Sequence, residues 1–248
     1  MRDQAEKYLK EVIEDFPSLI LNSCKDGFAE YSGTIAFRAK YDDFEEIEDE
    51  YDVDITLPLS DTEILPSAKE TGQRIPIKGE NHINPDGSMC LGAPLQVRQK
   101  FRRNPTLSNF IKNLLIPFLY AISFKEKHGY MPFGELSHGS KGIFEYYKEL
   151  LEIDSDYSVL EFLKIIVEDN YRGHIICPCK SGERLRNCHG PLILEIKDQQ
   201  SRNQFLYDLS HCYQAYKDSG GELPKKFWTK RLKDYVNKIS PSSKRNTE

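Results

Sequence analysis

Three cysteines and a histidine packed into one short stretch constrain this chain more than any other feature. Cys177-Pro178-Cys179 is followed, after the turn-forming Ser181-Gly182, by Cys188-His189-Gly190. Zinc asks for four tetrahedral ligands of sulfur and nitrogen type, and Cys177, Cys179, Cys188 and His189 supply them from a loop short enough to close. With every position filled by protein there is no room for substrate, so the expected role is structural or recognitional. The chain has six cysteines, an even number for a disulfide framework, yet three fall within twelve residues and two of those are one residue apart. Such crowding reads as metal ligation in a reducing compartment. Cys24 and Cys212 have no comparable surroundings and read as small apolar fillers.

The rest of the chain is that of a globular protein. Its 248 residues, 39% apolar and 29% charged, suffice for one or two domains without disulfides. The longest uncharged apolar run, Leu114 to Ser123, is about half of a membrane span. Glu6, Glu11, Glu14 and Asp15 stand where a secretory signal would be apolar, so the expected location is cytoplasmic, with no membrane partner. The formal charge of −5 is unevenly spread. Residues 1–60 carry sixteen acidic and six basic side chains, 95–127 one acidic and seven basic, and 222–248 three acidic and eight basic. Such a field suits steering of a protein partner, and a solvated surface that happens to segregate explains it equally. The net sign disfavours nucleic acid without closing that option.

Periodicity divides the chain. Tyr8, Leu9, Val12, Ile13 and Phe16 mark an amphipathic helix over 3–16, ended by Pro17. Ile35 to Tyr41 and Tyr51 to Leu57 alternate as strands. The seven carboxylates between Asp42 and Glu50 predict an exposed connection, or a longer strand pair with a solvated tip. Gln73 to Lys78, interrupted by Pro76, reads as an edge strand or extended loop. From Glu80 to Leu95 no period survives. A helix starts after Pro105, with Pro117 expected to kink or end it; another covers about 141–151, after a loop at 129–140. The polar stretch 153–158 marks the expected boundary between a strand-containing domain, 1–152, and a helical region, 153–248, with the knuckle at about 175–190. Helices are expected at 159–167, about 191–218 and 224–239, and disorder from Ser240.

Cys90 lies in the aperiodic stretch, in the run Asn81-His82-Ile83-Asn84-Pro85-Asp86-Gly87-Ser88-Met89-Cys90. A cysteine among amide and imidazole side chains and turn residues is a candidate thiol nucleophile, although a buried inert cysteine is the commoner case. Asp86 fits either a proton acceptor or a turn cap, and His138 either a second flank of the site or a structural histidine.

Two resemblances attach to these residues. The stretch 177–190 resembles the SEC-C motif, a small zinc-binding module appended to many unrelated proteins, which implies structural zinc and contact with a protein or nucleic-acid partner. The order of parts over residues 1–150 is similar to the ubiquitin-conjugating enzyme fold: a leading helix, a strand meander, a His-x-Asn loop, a cysteine three residues after Gly87, and a helix announced by Pro105. The similarity is greatest to the divergent bacterial members of antiphage defence islands, with which the run Pro132-x-Gly134-Glu135-x-x-His138-Gly139 is also associated. It implies an α+β fold, an antiparallel sheet with flanking helices, followed by the small helical region. It implies further that Cys90 accepts the carboxyl terminus of a ubiquitin-like modifier, or of another protein, as a thioester and passes it to an amine. Asn84 would then settle the oxyanion and His82 would hold the loop. Ile83 replaces the proline of the family's His-Pro-Asn motif and the stretch from Asn84 to Cys90 is shortened, which leaves Asn84 less secure than Cys90.

No Gly-x-Gly-x-x-Gly after a strand and no phosphate loop is found, so a separate activating enzyme is expected. Two other readings stand beside this one. The first is a conjugating-enzyme-like binding module with a nonproductive cysteine, recruiting a partner through the knuckle. The second, which ranks last, is a cysteine hydrolase pairing Cys90 with His138 or His211.

Overall fold

A computed structural model describes residues 1–60, 63–132, 137 and 139–239. Gly134, Glu135, His138 and the tail from Ser240, all named above, lie outside the described residues. The chain forms two compact units, Met1–His138 and Gly139–Glu248.

The first unit is a sheet with helices. Helix α1 (Arg2–Lys10) is shorter than its periodic pattern, and turns carry the chain on to Pro17. Four strands follow as an antiparallel meander in sequence order: β1 (Ile20–Lys25), β2 (Phe28–Ala39), β3 (Ile47–Pro58) and β4 (Ser67–Glu70). The carboxylate-rich segment divides between a solvated tip and the start of β3, because register pairs Ala39 with Ile47 and Phe28 with Pro58. Alternation sorts the two long strands. Ala29, Tyr31, Ile35 and Phe37 of β2 and Tyr51, Val53, Ile55 and Leu57 of β3 are buried, while Glu48, Glu50, Asp52 and Asp54 face outward. Gly33 permits a close crossing, since a Cβ there would stand 2.4 Å from the Ser18 carbonyl oxygen. The Ser18 hydroxyl completes the junction, accepting from Thr34 N–H at 2.8 Å.

Helix α2 (Pro94–Arg102) comes next, in a stretch that sequence period left as loop; Pro94 starts it where a missing N–H costs nothing. A helical run then extends from α3 (Leu107–Phe110) through a π turn (Ile111–Leu115) into α4 (Ile116–His128). Thr106 caps it by accepting from Asn109 N–H. Pro117 does not end this helix. Ile116 N–H reaches back to Ile111 O, so the ladder restarts and Pro117 falls in the first turn of α4, which needs no donor. At 22 residues and a mean hydropathy of 1.3, Leu107–His128 matches a membrane span by length and composition, and 67% of it is buried in the fold. Its core partners run from Ala5 and Val12 through the inner face of the sheet to Phe124 and Met131.

The loop after β4 is fixed by Arg74. Its guanidinium takes both oxygens of Asp49, at 2.8 and 2.7 Å, reaches Glu126 at 2.6 Å and lies 4.3 Å from the Tyr51 ring centre. This ties β3, the loop and α4 together.

The second unit is helical: α5 (Gly139–Leu150), α6 (Asp156–Val167), α7 (Gly190–Ile196), α8 (Arg202–Asp218) and α9 (Lys230–Ile239). Helix α5 belongs here, so the division precedes it, whereas the sequence reading put it at 152/153. The reason is burial: Tyr147 of α5 donates to Asp208 of α8 at 2.7 Å inside the unit. The polar stretch after Leu151 is a helix cap, with Ser155 accepting from Ser158 N–H. The expected helix over 191–218 is two helices, separated by residues 197–201.

Candidate functional site

The knuckle begins as a small ribbon. Cys177 N–H donates to Glu183 O and Leu185 N–H to Ile175 O, both at 2.8 Å, which folds the Lys180-Ser181-Gly182 turn back on itself. Lys180 and Gly182 both take positive φ there. A 3-10 turn, Leu185–Asn187, then brings Cys188 and His189 under the ribbon. Gly190 is required by space: a Cβ would lie 2.5 Å from both Leu185 O and the Tyr171 hydroxyl.

The result is one cluster. The ligand atoms of Cys177, Cys179, Cys188 and His189 all lie within 4.8 Å of one another. Cys179 Sγ is 3.5 Å from Cys188 Sγ, and His189 Nδ1 is 3.4 Å from Cys177 Sγ and 3.1 Å from Cys188 Sγ. An ion bound tetrahedrally at about 2.3 Å from sulfur and about 2.0 Å from nitrogen separates its ligand atoms by roughly 3.5–3.8 Å. The donor set therefore fits a metal ion with little movement. His189 is already oriented for it: Nε2 donates to Leu151 O at 2.8 Å, which fixes the tautomer and leaves the Nδ1 lone pair toward the sulfurs. Leu151 follows α5, and Ser158 of α6 donates to Pro178 O at 2.7 Å, so the cluster sits on two helices. Burial pushes the Cys177 thiol up to about 11; for Cys179 burial acts the same way but is outweighed by hydrogen bonds from Ser181 and the two neighbouring thiols, which bring it down to about 6. Cys179 thus ionises first, as the leading thiolate of a metal cluster should.

The second candidate, around Cys90, is a hairpin and not the aperiodic loop its sequence suggested. Cys90 N–H donates to His82 O and Asn84 N–H to Ser88 O, each at 2.8 Å, with Ile83 opposite Met89. Ile83 and Met89 are buried. Ser88 and Cys90 flank Met89 and lie on the other face of the ribbon. The second arm joins the sheet, since Met89 N–H donates to Ala68 O at 2.8 Å and Ser88 pairs with Lys69 of β4. Cys90 therefore sits where the sheet ends and α2 is about to begin.

Around it the side chains are engaged. Asp86 accepts from Ser88 N–H at 3.0 Å and from the Ser88 hydroxyl at 2.7 Å, and these bonds hold its carboxyl below the usual carboxylate range. Asp86 caps the turn. The Asn84 amide donates to Ser88 Oγ at 3.0 Å. His82 adopts a left-handed backbone with φ 54° and gives its carbonyl to Cys90 N–H, so its visible contribution is to the backbone of the hairpin. The Cys90 thiol is half-buried; desolvation pushes its pKa up, against a smaller opposing bond from Gly92 N–H. His211 belongs to the second unit, where Nδ1 meets the Ser140 hydroxyl at 2.8 Å. Cys212 is fully buried and Cys24 packs partly buried against the core.

Sequence reasoning missed Ser88, which links Asn84 to Asp86. Its signal was the Asp-Gly-Ser order, in which the residue two after an aspartate meets that carboxylate. It also missed the Leu151 carbonyl, for which a backbone group gives no sequence signal. Comparison of the chain with family models, with curated proteins and with solved structures returns no match.

Proposed function

We propose that the first unit is an acyl-transfer domain of ubiquitin-conjugating type and that the second is clamped by a structural zinc ion on Cys177, Cys179, Cys188 and His189. The observation that supports the first half most is the location of Cys90: one thiol after the last sheet pairing of a four-stranded meander, on the opposite face of its hairpin from Ile83 and Met89, immediately ahead of the proline-started α2. In this reading the Cys90 thiolate attacks the activated carboxyl terminus of a ubiquitin-like modifier or another protein, supplied by a separate activating enzyme. The activator's leaving group departs and a thioester remains. An amine then attacks the thioester, loses its proton, and releases the Cys90 thiolate. Asn84 is the candidate oxyanion donor once its amide leaves Ser88, His82 the hairpin's backbone support, and a role in antiviral defence comes with the family likeness. Zinc supplies no chemistry to this step; it holds the knuckle together.

A second reading is favoured by one specific observation. The thiol is held up by burial and the Asn84 amide is tied to Ser88, which suits a nonproductive conjugating-enzyme fold used to recruit a partner. Recovery of the protein from cells carrying its native neighbouring genes, followed by mass spectrometry with and without dithiothreitol, separates the two. Acyl transfer predicts a reductant-sensitive adduct on Cys90, a reductant-resistant one on Cys90→Ser and none on Cys90→Ala. If no adduct maps to Cys90 and Cys90→Ala retains full function in the host, the recruiting module is the correct reading.

A further inference from the structure

The second unit holds a groove that the metal cluster does not use. It is a cavity of about 750 Å³ beside the knuckle, walled by Ile175 and Ile176 and ringed by Lys164, Arg172, Lys180 and Lys226. The four cations come from α6, from the segment entering the ribbon, from the ribbon's turn, and from the short 3-10 helix Lys225–Phe227. Among the described residues none of them forms an ion pair. The acids that line the same groove are already occupied: Glu161 accepts from the Tyr157 hydroxyl at 2.7 Å, and Glu168 accepts from the Thr229 hydroxyl. Lys164 is half-buried with Nζ 4.7 Å from the Phe227 ring centre, which aims its charge at a fixed point. The groove is therefore a preset positive site without an internal counter-charge.

Its wall adds two further features. Ile176 is 60% exposed, a large aliphatic side chain left in water beside the cations. It also stands opposite Arg184 in the ribbon whose hydrogen bonds are made by residues 175, 177, 183 and 185. In an antiparallel ribbon the residue between two such bonds turns its own N–H and C=O outward. One donor and one acceptor at the groove are thus available to an added strand.

We infer that this groove binds an extended acidic segment of a partner protein. The segment's main chain pairs with Ile176, one of its aliphatic side chains lies against Ile175 and Ile176, and its carboxylates meet the four cations. A single-stranded nucleic acid fits less well, because the exposed wall is aliphatic where bases would need an aromatic face. The inference rests on the fold and metal loading of the second unit, not on chemistry at Cys90.

The test uses the full, zinc-loaded chain and fluorescence anisotropy with three labelled probes: a short peptide of Glu and Asp around one Ile, its Gln and Asn counterpart, and an oligothymidylate of equal charge. The acidic peptide is expected to bind, more weakly as salt rises, and the neutral counterpart to bind at least about tenfold more weakly. Lys226→Glu and Ile176→Ser are each expected to weaken the peptide by about tenfold while metal content and Cys90 reactivity stay unchanged. Arg172→Glu replaces any variant that loses metal. Absence of peptide binding up to about 1 mM, equal binding of the neutral peptide, tighter binding of the oligonucleotide, or indifference to Lys226→Glu would each overturn the inference.

Discussion

The two units are closed by different means. In Met1–His138 one apolar core runs continuously from α1 through the inner face of the sheet to α4. In Gly139–Glu248 the helices have an apolar interior too, yet a carboxylate, Asp208, sits inside it fully buried, and the knuckle places four candidate metal ligands where Leu185 is one of few buried side chains. A core built from period 2 and period 3.6 patterns stabilises itself. A fourteen-residue knuckle does not, and its geometry must come from what its ligands hold.

The sharpest way to break this contrast is to remove the metal. Cys188→Ser, or chelation of the wild type, should cost the second unit several kcal/mol and open its amides to hydrogen exchange. Amides of β2 and β3 should stay protected. Equal loss in both units would mean that they are one cooperative body.

The converse substitution belongs in the first unit. Phe110 is fully buried in the core, and Phe110→Ala should cost about 3–5 kcal/mol, read from denaturant unfolding, without loss of metal. Metal loss in that variant would show that the core supports the knuckle as well.

A smaller effect is expected at Tyr147. Its hydroxyl and the Gln200 amide, at 2.6 Å, both donate to Asp208, and burial pushes the tyrosine pKa far up. Tyr147→Phe leaves the buried carboxylate short of one donor and should cost about 1–3 kcal/mol, mainly in α5 and α8. A change below about 0.5 kcal/mol, the level of an ordinary surface substitution, would mean that another donor takes its place.

The smallest expected effect is on acid stability. Burial alone would raise the Asp49 pKa, but bonds from Arg74 and Ser123 outweigh it and hold the carboxyl below its ordinary value. A lowered folded pKa gives stability that is complete above the unfolded value and lost as pH falls through the folded one. Asp49→Asn should therefore lower stability at neutral pH by about 1 kcal/mol or less and flatten its fall toward about pH 3. An unchanged acid limb would assign that fall to other carboxylates.

What could be read from sequence follows the same division. The metal cluster was legible because its ligands are local and their types are chemically specific. Strands β2 and β3 were legible because alternation persists along them. Strand β1 was not: a bulge between Leu21 and Ser23 shifts its register and breaks the period. Strand β4, Ser-Ala-Lys-Glu, has little strand propensity and exists because β3 and Met89 pair with it on either side. The hairpin around Cys90 was hidden for a similar reason, since only Ile83 and Met89 mark its buried face. Helix α5 was assigned to the wrong neighbour because its partner, Asp208, is 61 residues away from Tyr147 and polar.

The most direct measurement is the metal content of carefully desalted protein by elemental analysis. A zinc-clamped second unit predicts about one zinc per chain in the wild type and a drop to near zero in Cys188→Ser with the first unit still folded. Less than about 0.2 metal per chain in wild-type protein whose second unit is nonetheless folded and protected from exchange would contradict a metal-held knuckle.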